Sequence, residues 1–161
     1  MSNISKITYT NDITLVTLGT LPGDSQAVAD VLTAFAEAGV NVDMISQTAP
    51  MGGKIRLSFT ISDDSLAGAL SLLGKIRAQH ADITPEILPG NCKIAFYDEN
   101  MVHTPGVAAK VFSLLSKAGV QIMLVTTSDV DISILVPAHM FQDALNTLSS
   151  AFGLVAAENA F

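Results

Sequence analysis

A repeated helix–turn–strand unit is the feature of this sequence that most limits how the chain can fold. Residues 103–129 read HTPGVAAKVFSLLSKAGVQIMLVTTSD, and residues 26–47 read QAVADVLTAFAEAGVNVDMISQ. Each segment spaces its apolar residues as one buried helix face, then has a glycine where a left-handed helix cap is expected, then an apolar strand. Gly39 aligns with Gly119 at a spacing of 80 residues. The duplication predicts two similar units of roughly 80 residues each.

The composition limits the classes of partner. Apolar residues make up 49% and charged residues 14% of the chain, so we expect part of the surface to pack against another subunit. The net charge of −7 argues against nucleic acid or an anionic membrane as a partner. The sequence has neither an apolar run long enough to span a membrane nor a secretory signal pattern. The single cysteine, Cys92, is expected to be buried and suits a cytoplasmic location.

Each unit is predicted to have the order β-α-β-β-α-β, which is the ferredoxin-like form of the α+β class, an antiparallel sheet with helices on one face. The predicted units are 12–89 and 90–161, after a lead-in or edge extension at 1–11. The first unit has strands at 13–18, 41–47, 54–61 and 83–88, a turn at 19–25, and helices at 26–38 and from a cap at 62–64 to 78. A linker at 89–91 precedes strands at 93–97, 121–127, 130–136 and 153–157, a loop at 98–104, and helices at 105–118 and 137–150.

The sequence offers no catalytic or metal-binding motif. His80, His103 and His139 lack metal-ligand spacing, and there is no nucleophile elbow or phosphate-binding lysine loop. The strands lack the aromatic residues of RNA-recognition domains, and the first loop, GTLPGDS, has no arginine to cradle a phosphate. We therefore expect no catalytic residue, metal or cofactor; an enzyme site assembled only in three dimensions is the alternative.

The two loop-to-helix starts are the features with binding potential. Free backbone N–H groups and a partial positive charge make a helix start suitable for a carboxylate. The neighbouring strand starts, NVD and QIM, can offer amides, carbonyl groups or a carboxylate to an ammonium group. Together they suit a free amino acid.

The sequence resembles the ACT domain, in the tandem form found at the regulatory end of aspartate kinases. The resemblance is carried by MVHTPGVAAKVFSLLSKAGVQIMLVTTSDVDISILV and AFAEAGVNVDMISQ, and it extends over 13–154. It implies a non-catalytic regulatory subunit or fragment that binds lysine or threonine at ACT–ACT seams between subunits for feedback control. It also implies a homodimer, a complex with a kinase catalytic subunit, or both.

The resemblance assigns effector-binding residues position by position. One site would use Asp24, Ser25, Gln26, Ala27 and Gln47, facing Gln121 and Ile122 of another unit. The related site would use Met101, His103, Thr104, Gly106 and Val107, facing Asn41, Val42 and Asp43. Asp43 would hold the ammonium group, and Ser128 and Asp129 would support the strand end.

Some positions depart from the family pattern or have a simpler reading. Pro22 and Gly23 lie earlier than the family's Pro-Gly before the first helix. Asp43 is also readable as a solvated strand residue, His103 as a surface residue and Gln47 as a strand cap. The alternatives in function are an ACT protein serving another enzyme or ligand, and an assembly module that binds nothing.

Overall fold

The computed structural model describes residues 4–159 and has the α+β architecture that the sequence predicts. Its strands are β1 Lys6–Pro22, β2 Asp43–Gln47, β3 Lys54–Ser62, β4 Thr84–Tyr97, β5 Leu124–Thr127, β6 Asp131–Pro137 and β7 Ala157–Glu158. Its helices are α1 Ser25–Glu37, α2 Leu66–Gln79, α3 Val107–Lys117 and α4 Ala138–Phe152, with short 3-10 helices at Asp63–Ser65 and Glu99–His103. Within the described residues, none of the helices is long and apolar enough to span a membrane.

The chain divides into two compact units that share strands β1 and β4. The central unit is Asp12–Pro89, and the terminal unit combines Met1–Asn11 with Gly90–Phe161. Residues 1–3 of the expected lead-in and residues 160–161 of the expected second unit lie outside the described residues.

The central unit has the sheet order β2-β3-β1-β4. Strand β3 runs antiparallel to both β1 and β2, as predicted for the β2–β3 pair. Alternate residues of β1 and β3 face α1 and α2, where Phe35 and Phe59 meet edge to face with ring centroids 5.0 Å apart. This packing follows from the alternation of side chains along a strand and the apolar stripe of each helix.

The terminal unit has the order β1-β4-β6-β5, with β7 parallel to the first part of β1. Its core holds Phe96 and Ile134 from the sheet, Val111 and Leu115 from α3, and Leu148 from α4. Of the two alternatives predicted for residues 1–11, the loose lead-in is wrong for the described part, because Lys6 begins β1, whereas the extension agrees with the pairing of Thr8 and Tyr9 with β7. The final strand is also shifted from 153–157 to Ala157–Glu158, since Gly153 takes a left-handed conformation that ends α4.

Two predicted turns lie within strands. The linker expected at 89–91 is part of β4, where Gly90 takes a φ of +75° and Asn91 begins the pairing with β6, opposite Pro137. The turn expected at 19–25 begins late because β1 continues to Pro22 through a bulge between Leu18 and Leu21. Gly90 and the bulge in β1 accommodate the irregular backbone, so the strand pairing continues on both sides of each.

Candidate functional site

The start of α3 in the terminal unit is an open helix N-terminus. The helix was predicted from residue 105, but Gly106 is the N-cap with a φ of +93°, so the first helical residue is Val107. Among residues 4–159, no side chain caps this end. The first intrahelical N–H comes from Lys110, which donates to the Gly106 carbonyl group at 3.0 Å. The N–H groups of Val107 and Ala108 therefore lack an intrahelical acceptor.

A cavity of about 320 Å³ lies at this helix start. We call it the α3 cavity; it is lined by Met101, Val102, Thr104, Gly106, Val107, Ala108, Thr127, Ser128, Asp129 and Ile132. Its volume is at the lower end of the range for pockets that hold small molecules. Of the residues predicted from the sequence, it brings together Met101, Thr104, Gly106, Val107, Ser128 and Asp129.

The wall before α3 is fixed by a buried aspartate that the sequence reasoning missed. Asp98 is 4% exposed, and its Oδ1 accepts a hydrogen bond from Asn100 N–H at 2.7 Å, which caps the 3-10 helix Glu99–His103. The Thr104 hydroxyl donates to the Asn100 carbonyl group at 2.9 Å. An aspartate directly after a predicted strand was the available signal for such a cap. His103 is exposed and does not line the α3 cavity.

The opposite wall is the short turn between β5 and β6. Ser128 N–H donates to the Asp131 carbonyl group at 2.9 Å, and the Ser128 hydroxyl accepts from Val130 N–H at 3.3 Å. Asp129 is exposed and, among residues 4–159, is the one carboxylate that lines the cavity. The arrangement can present backbone N–H groups to an anion and a carboxylate to a cation. Among the described residues, no group of three or more His, Cys, Asp or Glu side chains could hold a metal ion.

The corresponding helix start in the central unit is capped by the chain itself. Asp24 is the N-cap of α1, and its Oδ1 accepts from Ala27 N–H at 2.8 Å. Gln26 donates from Nε2 to Asp30 Oδ1 at 2.7 Å, one helical turn further on. Ser25 is exposed, and Ala27 is buried in the unit's core. A carboxylate of the protein thus already accepts one of the free N–H groups at this helix N-terminus.

A longer β2–β3 turn also packs onto this loop. The central unit has six residues, 48–53, between β2 and β3, whereas the terminal unit has three, 128–130, between β5 and β6. Gly23 N–H donates to the Gly53 carbonyl group at 2.9 Å. A Cβ atom on Gly23 would lie 3.1 Å from that oxygen and 3.2 Å from Pro50 Cβ. Gln47 is exposed at the end of β2, where this turn begins.

Most of the residues that were predicted at the strand starts lie before the first residue of the observed strand. Asn41 and Gln121 are exposed, while Val42 and Ile122 pack against the cores of their units. The strands expected from 41 and 121 begin at Asp43 and Leu124, because the chain first turns through the helix caps at Gly39 and Gly119. Asp43 is half-buried and pairs in register with Thr60. That these residues face an effector remains a prediction.

Comparison with known families decides what kind of fold this duplicated unit is. Both halves match the family model of the ACT domain, at residues 19–75 and 94–152. The chain belongs to the ACT domain family. The family resemblance seen in the sequence is confirmed.

Relatives of this ACT protein include aspartate kinases. It is 33% identical over 148 residues to an aspartokinase of Geobacillus stearothermophilus, covering 92% of this chain and 35% of the relative. It superposes with a TM-score of 0.83 on the ligand-free regulatory subunit of aspartate kinase from Thermus thermophilus, at 29% identity, covering 94% of this chain and 99% of that one. For the aspartate kinase of Synechocystis the TM-score is 0.89 at 28% identity, covering 95% and 27% of the two chains. The chain thus spans about a third of its curated relatives but nearly all of a separate regulatory subunit.

Proposed function

We propose that this chain is a non-catalytic regulatory part of an aspartate kinase and senses an amino acid at the start of α3. The observation that carries the proposal is the contrast between the two helix starts. The α3 start is uncapped and lines a cavity, whereas the α1 start holds the Asp24 carboxylate. The relatives support the link to aspartate kinase, and the match to a separate regulatory subunit supports a role without catalysis.

The carboxylate of the effector would bind the backbone N–H groups of Val107 and Ala108. These groups point away from the helix and lie at the positive end of its dipole. Hydrogen bonds to a charged group are worth about 1.5–3 kcal/mol each, so these two would supply part of the effector's affinity, and the contacts to its ammonium group must supply the rest. The Thr104 hydroxyl already donates its proton to the Asn100 carbonyl group. The Ser128 hydroxyl only accepts, from Val130 N–H, so its proton remains available to the effector.

The ammonium group would meet Asp129 at the rim of the cavity. One carboxylate is enough for threonine, which has a single ammonium group. Lysine carries two, and its second ammonium group needs a second carboxylate from outside the α3 cavity. Asp43 of another subunit would supply it in the ACT–ACT seam that the sequence predicts. The choice between lysine and threonine therefore depends on Asp43.

The central unit would have a structural role, in contrast to the sensing role of the terminal unit. Asp24 competes with any effector carboxylate for the Ala27 N–H group, and the 48–53 turn packs onto the same loop. We expect the α1 start to bind an amino acid more weakly than the α3 start. Control of the kinase would follow if the effector stabilised one arrangement of the subunits over another. The homodimer, the catalytic-subunit partner and the cytoplasmic location also remain predictions.

A thermal-shift screen against the twenty amino acids tests the proposal. An effector at about 100 times its dissociation constant adds roughly 2.7 kcal/mol to the free energy of unfolding. Stabilisation by lysine or threonine alone supports the proposal and names the effector. No response to any amino acid, both for the isolated chain and with a kinase catalytic subunit present, would favour a module that serves only in assembly.

A further inference from the structure

The outward face of α2, in the central unit, carries no charge along its middle. The buried residues of this helix are Ala69, Leu73 and Ile76. Exposed residues at spacings of three and four form a stripe on the opposite side, which we call the α2 outer face: Ala67, Ser71, Gly74 and Ala78. Leu70 lies beside this stripe and is 53% exposed. The outward face of a helix normally has charged or polar side chains, so this one has the composition of a contact surface.

Two glycines inside α2 are not explained by packing within the chain. Gly68 and Gly74 lie in the helix interior, where glycine is less favourable than alanine. Among residues 4–159, a Cβ atom added at either glycine would meet nothing within 4 Å beyond the helix's own backbone. The chain itself therefore leaves room for a larger residue. A second backbone that approaches closely would require glycine on the α2 outer face, where Gly74 lies.

The two ends of α2 carry opposite charges. Asp63 and Asp64 lie in the 3-10 helix that leads into α2, and Lys75 and Arg77 lie near its end. Within residues 4–159, Asp64, Lys75 and Arg77 make no ion pair. Each sign is the one that the nearer end of the helix dipole favours. Two such helices placed antiparallel bring the acidic start of each beside the basic end of the other.

We propose that the α2 outer faces of two copies of this chain pack against each other, with the two helices antiparallel about a two-fold axis. In the register that the charges favour, Asp64 of one copy lies beside Arg77 of the other. The same register places Ala67 opposite Gly74 and brings Ser71 next to the axis. A two-fold contact is self-complementary, so each of these pairs forms twice.

This contact is independent of the amino-acid site. None of the residues predicted at the ACT–ACT seam lies in α2, and α2 does not line the α3 cavity. The self-complementary charges favour a second copy of the chain over an unrelated partner. One helix face is small beside a standard interface, so the contact is weak on its own and the experiment must trap it.

Disulfide trapping of the full chain tests the contact. Ser71→Cys places a thiol beside the same thiol of the second copy, at the short Cα separation that a disulfide needs. We expect oxidation with diamide to give a covalent dimer, at a rate that rises with chain concentration and falls with added salt. Ser150→Cys is the matched control, because Ser150 is exposed on α4; it should cross-link far more slowly. The native Cys92 is buried in both variants.

Charge variants of Ser71→Cys test the register. Arg77→Glu places like charges at both ends of the contact and should slow cross-linking about tenfold, as expected for two surface ion pairs. Adding Asp64→Lys to Arg77→Glu makes the signs opposite again and should restore the rate. Lys75→Glu makes the same charge change two residues earlier, on another side of the helix, and should have a smaller effect.

Glycine variants of Ser71→Cys test the close approach. Gly74→Gln adds a long side chain in the middle of the α2 outer face and should prevent cross-linking, while glutamine is a good helix former. Gly68→Gln is the matched control, because Gly68 lies to the side of the stripe; it should leave the rate close to unchanged. The amino-acid response at the α3 cavity should survive in Gly74→Gln, which separates this contact from the proposed function.

Two results would overturn the proposal. One is cross-linking of Ser71→Cys no faster than that of Ser150→Cys, which decides the matter without any further variant. If Gly74→Gln then weakened a complex with a kinase catalytic subunit, that subunit would be the occupant instead. The other result is an equal rate for Ser71→Cys with and without Arg77→Glu and Gly74→Gln.

Discussion

Asp24 and Ala27 close the start of α1, because the Asp24 carboxylate accepts the Ala27 N–H at 2.8 Å. The equivalent cap in α3 is Gly106, which has no side chain to offer. The duplicated units therefore have one helix start filled by the chain and one left open to the α3 cavity. This difference between the two repeats is the basis of the proposal that the terminal unit senses the effector and the central unit is structural.

The first prediction concerns the Asp24 cap. Asp24→Ala should lower the free energy of unfolding by about 1 kcal/mol, since an N-cap hydrogen bond is lost. The amino-acid response at the α3 cavity should be unchanged. Denaturant unfolding and a ligand titration check both parts. A loss of amino-acid binding at full folding would show that the effector lies at α1 instead.

The second prediction concerns the backbone at Gly106. Gly106→Ala places a side chain at a φ of +93°, which should cost about 1–2 kcal/mol and displace the Val107 N–H group. We expect effector affinity to fall about tenfold or more, the loss of one hydrogen bond to a charged group.

Gly119→Ala is the matched control at the other end of α3, where φ is +70° and a Cβ atom meets nothing within 4 Å. It should cost similar stability and leave effector affinity intact. Equal losses of affinity in both variants would mean that helix stability, and not the helix start, controls binding.

The third prediction distinguishes lysine from threonine. Asp129→Asn should weaken binding of either effector, because Asp129 is the carboxylate that lines the α3 cavity. Asp43→Asn should weaken lysine binding and spare threonine binding. Calorimetric titration of both variants checks this, with the exposed Asp143→Asn as a control of equal charge change. Wild-type affinity for lysine in Asp43→Asn would remove Asp43 from the site.

The fourth prediction compares two glycines without neighbours within 4 Å. Gly90→Ala should destabilise the chain by about 1–2 kcal/mol, because φ is +75° within β4. Gly74→Ala, inside α2, should stabilise it by roughly 0.5–1 kcal/mol, because alanine is the better helix former. Thermal unfolding of the two variants should show shifts of opposite sign; equal signs would contradict the backbone account of β4.

The repeat, its four helices and the fold class could be predicted because helix periodicity and the capping glycines are local signals. The sequence left residues 6–11 open between a lead-in and an edge extension, because their strand pairs with Ala157 and Glu158, far away in the sequence. Pro89-Gly90-Asn91 has the composition of a turn, but the ladder on both sides keeps β4 continuous.

The candidate site was predictable in part, for similar reasons. Gly106, Val107 and Asp129 all line the α3 cavity. Gly106 and Val107 form the start of α3, and Asp129 lies in the turn between β5 and β6. His103 does not join them, because the 3-10 helix capped by Asp98 leaves it exposed. Asp24 was predicted as an effector-binding residue, and in the structure its carboxylate caps α1.

The most direct test of the central claim is an amide NMR titration of the wild-type chain with lysine and with threonine. The account predicts that the largest shifts occur at the N–H groups of Val107 and Ala108, with smaller changes at Ser128 and Asp129. Shifts centred on Gln26 and Ala27, with Val107 and Ala108 unmoved, would contradict it.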